Sequence, residues 1–350
     1  MSPSEFLFVP EPENHKDLSE LNTLGFLVYA DYFCRPESAK ACQQALDWAR
    51  KRDLPVFPLG SGSNLILAAD IPGLVVQMSN QQRHYDPQAD GSVLLTVGAG
   101  VVWHDLVMEV AGKGLYGLEN LALIPGRTGA APVQNIGAYG SELADVLVSV
   151  SAIRVRDGKP VTLSREACSF GYRDSIFKSA EYQQGCTGQV IITSLLLRLQ
   201  TKAEPKLGYG DLAAELEGKE ATPLRIAKAV CRIRQSKLPD PAEVGNAGSF
   251  FKNPVVSVEL AQSLKEQYPG MPVYPAGEGQ NKLAAGWLIE QCGFKGIRRD
   301  SVGVYPKQAL VLVHYGGGSA EGLLALADDI VSEVKLRFKV ELEREPQLIL

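Results

Sequence analysis

A run of 17 residues, IPGRTGAAPVQNIGAYG (124–140), constrains this chain more than any other feature. It holds Gly126, Gly129, Gly137 and Gly140 together with Ala130, Ala131 and Ala138. Ordering so many small residues costs much backbone entropy. Connections in compact domains are usually about 4–6 residues long, and longer ones are commonly functional or disordered. Ile124, Val133, Gln134, Asn135 and Ile136 speak against disorder. Two readings stand: a wide, flat ligand lying against backbone, or a small-residue helix crossing.

A second glycine-rich stretch is LGSGSNLIL (59–67). Small residues at Gly60, Ser61, Gly62 and Ser63, after a short strand, let backbone N–H groups approach a phosphate. A dinucleotide fingerprint would place a third glycine where Leu65 stands, and no long helical pattern follows. No Lys-Ser or Lys-Thr completes a P-loop. A tight strand-to-strand turn explains the stretch equally well.

Composition removes several function classes. At roughly 150 residues per domain, 350 residues make two or three domains. With 45% hydrophobic and 21% charged residues, wholesale disorder is excluded. A net charge of −5 argues against nucleic acid, which needs a basic face. No apolar run reaches the ~18 residues of a membrane span. Cys34, Cys42, Cys168, Cys186, Cys231 and Cys292 lack CxxC spacing, so reduced thiols are expected. Four histidines (His15, His84, His104, His314) at no helix-face spacing make a metal site improbable, and none is expected. The opening MSPSEFLFVPEPENHKD lacks the pattern of a signal peptide. The expectation is a soluble cytoplasmic monomer, since no long exposed apolar helix face stands out.

Periodicity predicts helices over 38–52, 101–114, 257–267, 281–292 and 320–336, the last with Ser319 as its cap. Thr222-Pro223 starts another, with Ile226, Val230 and Ile233 as its apolar stripe. Strands are expected at 54–60, 73–78, 93–100, 190–200 and 309–315, with one more opening the segment 338–350. A hairpin is expected over 146–163, turning at Asp157-Gly158. The polar stretch 201–222, with Gly208, Gly210 and Gly218, suggests a boundary near 215. Strands and helices mix without strict alternation, so the fold class is α+β.

LGSGSNL, IPGRTGAAPVQNIGAYG, FGYRDSIFK (170–178), RQSKLPDP (234–241), NAGSFFKNP (246–254) and EREPQLIL occur in this order. Together they resemble the UDP-N-acetylenolpyruvoylglucosamine reductase family, from about Asn22 to Glu345. GYRDSIFK and the LGYGDL loop with Tyr209 resemble its type I branch. The resemblance implies a two-part FAD-binding domain of the vanillyl-alcohol-oxidase type and a separate α+β substrate-binding domain. Its expected limits are 1–72 and 73–215 for the FAD subdomains, 216–340 for the substrate domain and 341–350 for a tail returning to the active site. FAD and NADPH are the implied cofactors, and UDP-N-acetylenolpyruvoylglucosamine is the implied substrate in peptidoglycan precursor synthesis.

The resemblance also implies roles. Arg173 would grip the substrate carboxylate as charge builds there, Ser249 would protonate the α-carbon, and Glu345 would donate to the developing enol or hold a water. Each has an ordinary alternative: an ion pair of Arg173 with Asp174, a capping or strand-end role for Ser249, a solvated Glu345. FAD would lie against Gly60, Ser61, Gly62, Ser63, Asn64, Leu65, Gly126, Thr128, Gly129, Ala130, Gln134, Asn135, Gly137, Ala138 and Tyr139. Tyr172, Lys237, Asn253, Tyr274, Lys295 and Gln308 would bind substrate, with Tyr209 on the lid over the diphosphate. Lys237 and Lys295 also read as plain surface lysines. The chain departs from the family pattern at Tyr305, where His is usual, and at His314, where Asn is usual.

No separate dinucleotide motif serves NADPH, which fits ping-pong use of one shared site. Two alternatives remain at this level: a related flavin oxidase of an alcohol or hydroxy acid, and a non-catalytic sugar-nucleotide-binding module.

Overall fold

The computed structural model describes residues 11–179, 189–209 and 211–350. They form two compact units. Cys186 and Gly210 lie outside the described residues.

The first unit takes residues 11–17, Tyr29–Ser61 and Ile71–Arg234. One sheet has the order Glu13–Asp17, Tyr29–Cys34, Ile71–Val76, Val56–Pro58, and its last three strands are parallel. Helix Ala39–Arg50 follows the second of these strands. It starts at Ser38, whose Oγ accepts the Ala41 N–H at 3.1 Å, satisfying one of the first-turn donors. A second, antiparallel sheet runs Pro160–Ser164, Leu147–Arg154, Val190–Gln200, Ser92–Gly98, Arg83–Pro87. The expected hairpin is present, and Gly158 takes the positive φ of 69° that its turn needs.

Leu95, Val97, Leu106, Val110, Val150, Leu195 and Leu197 are fully or almost fully buried in this unit's core. Helix Pro223–Lys237 adds Ile226, Ala227, Val230 and Ile233 to the same core. Burying each aliphatic side chain of this size is worth roughly 1.5–3 kcal/mol. That packing carries the first unit on to Arg234, beyond the boundary expected near 215.

The second unit takes Leu18–Val28, Gly62–Asp70 and Gln235–Leu350. It contains an antiparallel sheet of Gly245–Asn246, Leu312–His314, Val302–Val304 and Arg298–Arg299, and a smaller one of Val255–Ser257, Gln280–Leu283 and Val273–Pro275. Gln347–Ile349 pairs in parallel with Leu65–Leu67. Helices Val258–Gln267, Ala285–Gln291 and Ala320–Phe338 surround a core of Phe250, Phe251, Leu288, Leu312, Leu323, Ile330 and Phe338.

Three expectations change here. The helix expected over 281–292 starts only at Ala285, because Gln280–Leu283 is the central strand of the smaller sheet. The strand expected from 338 is absent: Phe338 ends the long helix, Lys339 caps it with φ 58°, and the strand lies at Gln347–Ile349. Ser319 stands at the N-cap of that helix without a side-chain cap hydrogen bond.

His314 is a core residue of the second unit. Its Nδ1 lies 2.8 Å from the Leu24 carbonyl, and its Nε2 accepts the Gly318 N–H at 3.2 Å. This pairing assigns the proton to Nδ1. The ring also packs on Phe26 at 4.6 Å.

Candidate active site

Small residues in the 124–140 segment are required by close backbone packing. Gly129 donates its N–H to Ala99 O at 2.9 Å, and a Cβ there would lie 2.6 Å from Ala99 Cβ. Thr128 is buried and donates through both N–H and Oγ1 to Val101 O. Gly126 has φ 122° and accepts from Trp103 N–H at 3.0 Å. A Cβ on Gly60 would sit 3.1 Å from Ala130 Cβ, which brings the two glycine-rich stretches together within this unit. Gly60 and Ser61 belong to the first unit, whereas Gly62, Ser63, Asn64 and Leu65 belong to the second.

The segment ends in a two-strand hairpin, Gly137–Ala138 with Ser141–Glu142. Its two turn residues, Tyr139 and Gly140, have φ of 48° and 80°, the left-handed pair a two-residue hairpin turn demands. Glycine meets that demand without strain; tyrosine does not. Gly140 is fixed for a second reason: a Cβ would lie 2.6 Å from Cδ2 of Tyr209, so the exposed Tyr209 ring rests on this turn. Asn135, buried at φ 45°, donates to Glu142 Oε2 and Gly171 O and accepts the Ala144 N–H. Gln134 and Ala138 are half-buried in the same segment.

Arg173 stands beside this hairpin. It occupies a turn closed by mutual Gly171 and Asp174 backbone hydrogen bonds, with φ 55°. Its Nη2 donates to Gly137 O at 2.7 Å, and a Cβ on Gly137 would come within 2.8 Å of Nη1. Its guanidinium lies over the Tyr172 ring at 5.4 Å. Lys178 Nζ donates to Arg173 O at 3.0 Å. Three non-glycine residues at positive φ (Asn135, Tyr139, Arg173) therefore converge here. Such conformations persist only when surroundings over-determine them, and they cluster at functional sites.

Sequence reasoning missed Arg234, on the last turn of helix Pro223–Lys237. Burial holds its guanidinium below the usual range, and Tyr139 and Arg173 are among its electrostatic neighbours. The available signal was its place at the head of RQSKLPDP.

In the second unit Ser249 and Glu345 come together through backbone pairing. Glu345 N–H donates to Phe250 O at 3.0 Å, and Lys252 N–H donates to Glu343 O at 2.9 Å. Phe250 and Phe251 anchor this pair of segments in the core. Gly248, at φ 72°, turns the chain before Ser249, and its N–H donates to Asn246 Oδ1 at 3.0 Å. Asn64 joins them: its Nδ2 donates to Glu345 O at 3.3 Å, and its carbonyl accepts the Gln347 N–H. Glu345 and Ser249 are half-buried.

The expected substrate residues of this unit divide into groups. Asn253 accepts the Ala285 N–H at 3.0 Å and so supports the start of helix Ala285–Gln291. Gln308 packs on Gly286 of that helix. Tyr274 is exposed and sits across from Lys282 in the smaller sheet. Lys237 is exposed. Lys295 is exposed and its Nζ ion-pairs Glu290 at 2.9 Å, an ordinary surface pair.

Curated relatives decide the family. The chain is 46% identical over 337 residues to a UDP-N-acetylenolpyruvoylglucosamine reductase of Chromobacterium violaceum, covering 95% of this chain and 97% of the relative. It is 44% identical to a protein of the same name from Pseudomonas aeruginosa, covering 97% of this chain and 99% of the relative. The chain belongs to the UDP-N-acetylenolpyruvoylglucosamine reductase family. A family model for the C-terminal domain of these reductases matches residues 240–349, and one for an FAD binding domain matches residues 30–164. The crystal structure of the Thermus caldophilus reductase aligns with a TM-score of 0.66 at 27% identity, covering 97% of this chain and 99% of that one. A 6-hydroxy-D-nicotine oxidase from Arthrobacter nicotinovorans aligns at a TM-score of 0.50 and 14% identity, a likeness of fold alone. This member of the reductase family is thus an FAD-dependent oxidoreductase with the α+β, vanillyl-alcohol-oxidase-type architecture. Its first unit fits the cofactor. The buried Arg234 Nε there has no hydrogen-bond partner among the described residues and can donate to an acceptor on the cofactor.

Proposed function

We propose that this protein reduces UDP-N-acetylenolpyruvoylglucosamine to UDP-N-acetylmuramate with NADPH as the electron source, through Arg173, Ser249 and Glu345. The observation that carries the assignment is full-length similarity to the reductases together with pairing of the Ser249 and Glu345 segments. FAD, when bound, would supply the hydride chemistry that links NADPH to the enolpyruvyl β-carbon.

The chain's own groups do the rest. Gly60, Ser61, Gly126, Thr128, Gly129, Ala130, Gln134, Asn135, Gly137, Ala138 and Tyr139, with Gly62, Ser63, Asn64 and Leu65, would hold FAD. Arg173 grips the substrate carboxylate, since a guanidinium stays charged and matches two oxygens at once. Its hydrogen bond to Gly137 O and its turn fix it before substrate arrives, which is the form of electrostatic stabilisation that lowers barriers most. Ser249 protonates the α-carbon. A hydroxyl is a weak acid, so it must be polarised by a cation or pass on charge as the proton leaves, and Glu345 donates to the developing enol or holds a water or Arg in place. Tyr172, Lys237, Asn253, Tyr274, Lys295 and Gln308 bind the sugar nucleotide, and Tyr209 covers its diphosphate.

The functional division follows the same reading: 1–72 and 73–215 for FAD, 216–340 for substrate, 341–350 for the returning tail. Among the described residues no helix is long and apolar enough to cross a membrane. The reading places the enzyme in the cytoplasm, as a monomer. A visible spectrum tests the assignment. The purified protein should be yellow, bleach with NADPH under nitrogen, and regain colour on adding the enolpyruvyl nucleotide. Colour regained only with oxygen would replace it with a flavin oxidase.

A further inference from the structure

The parallel strands of the first unit end in charge. Tyr29–Cys34, Ile71–Val76 and Val56–Pro58 run side by side in one direction, so Arg35, Gln77 and Gly60 leave the same edge of the sheet. Sheets of parallel strands hold ligands beyond the carboxyl ends of the strands. Gln77 is buried and joins the other two. Its Oε1 accepts Arg35 Nε at 2.9 Å, and its Nε2 donates to the Gly60 carbonyl. Arg35 is thereby tied to the first glycine-rich turn, and no acceptor among the described residues takes its Nη groups.

A second cation closes on the same turn. A Cβ on Gly60 would lie 3.1 Å from Ala130 Cβ, and the Ala130 N–H donates to Arg127 O at 2.9 Å. Arg127 Nη1 donates to Gly100 O at 2.6 Å. Gly100 packs so closely on Ser79 that a Cβ would lie 2.6 Å from Ser79 Cα, and Ser79 Oγ donates to Arg35 O at 3.1 Å. These contacts form a ring that returns to Arg35. Within it, Arg127 Nε is sealed from solvent with no hydrogen-bond partner among the described residues. Burial and the charge of Arg35 both hold the Arg127 guanidinium below its usual range. Among the described residues neither arginine pairs with a carboxylate.

Two like charges fixed at one turn, one of them partly desolvated, are costly unless a ligand brings the anion. Guanidinium forks match phosphate oxygens two at a time. Arg35, Gln77 and Arg127 all fall within the 30–164 span that matches an FAD binding domain. The diphosphate is the part of oxidised FAD that carries lasting negative charge. We propose that Arg35 and Arg127 are a paired cation site for the diphosphate of FAD, and that Gln77 is the positioning residue that sets Arg35 against the Gly60 turn. This rests on the FAD reading of the first unit.

The test is FAD affinity of the apoprotein at low salt, read by flavin fluorescence, for wild type and for Met and Lys variants at 35 and 127. Arg35→Met and Arg127→Met should each weaken FAD about tenfold, the scale of one charge-assisted hydrogen bond. Arg35→Lys and Arg127→Lys keep the charge and should lose less than half as much on a logarithmic scale. Added salt should weaken FAD binding more in wild type than in the double Met variant. Gln77→Leu should weaken FAD in the wild-type background and add nothing to Arg35→Met. Affinity within about twofold of wild type in either Met variant overturns the pair. Equal losses in the Lys and Met variants make these arginines packing residues and overturn it too, as does a collapsed melting profile of Arg127→Met apoprotein. A Gln77→Leu loss that adds fully to Arg35→Met overturns the positioning role. Unchanged FAD affinity with weakened sugar-nucleotide binding by the holoenzyme reassigns the cations to the substrate. A wild-type protein that binds no FAD sinks the underlying reading instead.

Discussion

The two units solve the placement of reactive groups differently. In the first, Arg173 and Tyr139 sit at φ of 55° and 48°, held by a turn, a hairpin and the Gly137 carbonyl. In the second, Ser249 and Glu345 stand on segments joined by ordinary backbone hydrogen bonds and anchored by two buried phenylalanines. A cation that must meet developing charge gains from a rigid, strained mount, because reorganisation during reaction is what raises the barrier. A proton donor needs reach and a polarised hydroxyl, and Ser249 stands on irregular backbone between Gly248 and the buried Phe250. The contrast predicts separable failures.

The largest separation is expected at Ser249. Ser249→Ala should leave bleaching of the flavin by NADPH intact and slow reoxidation by the enolpyruvyl nucleotide about 10³-fold, within the usual contribution of general acid catalysis. Stopped-flow absorbance resolves the two half-reactions. Equal loss in both would remove Ser249 from proton transfer. Next comes Arg173→Lys. The lysine keeps a charge but not the paired donors, and turnover should fall about 10²-fold with little change in thermal melting. Unchanged turnover would leave Arg173 a structural arginine held by Gly137. The tail is better tested by Glu345→Gln than by deleting 341–350. Leu342 is buried in the second unit's core, and Gln347–Ile349 completes a strand pair, so deletion removes structure along with the carboxylate.

How much of this was legible in sequence depended on how far each segment's partners lie. Val190–Gln200 announced itself by an unbroken apolar run, and the hairpin by Asp157-Gly158, because both signals are local. Gln280–Leu283 did not: it is short and polar, and strand partners at Val255–Ser257 and Val273–Pro275 hold it extended. Leu18–Val28 and Gly62–Asp70 belong to the second unit through remote partners, such as Thr23 O receiving the Asn246 N–H and Asn64 O receiving the Gln347 N–H. No local pattern encodes such pairings. The site divides the same way. Glycines of 124–140 signal a close-packed backbone from sequence alone. Glu345 could be singled out only by family likeness, and Arg234 only by its burial beside Tyr139 and Arg173.

Glycine gives a smaller, purely structural version of the comparison. Gly140 in the first unit and Gly248 in the second both have positive φ, 80° and 72°. A Cβ on Gly140 would meet Tyr209 at 2.6 Å, whereas nothing lies within 4 Å of one on Gly248. Left-handed backbone alone costs an alanine about 1–2 kcal/mol. Gly248→Ala should therefore destabilise by about 1 kcal/mol, and Gly140→Ala by about 2 kcal/mol, with a raised KM for the sugar nucleotide as the Tyr209 ring is displaced. Urea denaturation and steady-state kinetics check both. Equal costs with unchanged KM would mean that the ring has no fixed place on the turn.

The weakest expected effect is on alkaline stability, and it too separates the units. Burial pushes the thiols of Cys34 and Cys42, both in the first unit, up to about 12 from an ordinary 9.0. Cys292, in the second, is half-buried and less constrained. Between these two pH values the unfolded chain has lost thiol protons that the folded chain still holds. Unfolding then releases protons, so stability is fully present below pH 9 and falls as pH rises toward 12. The urea midpoint of wild type should drop over that window, and the drop should be smaller in Cys42→Ala, which no longer has that thiol to titrate. Cys292→Ala should leave the drop nearly as in wild type. Identical pH slopes in Cys42→Ala and wild type would mean that the first unit's thiol burial does not set the alkaline limit.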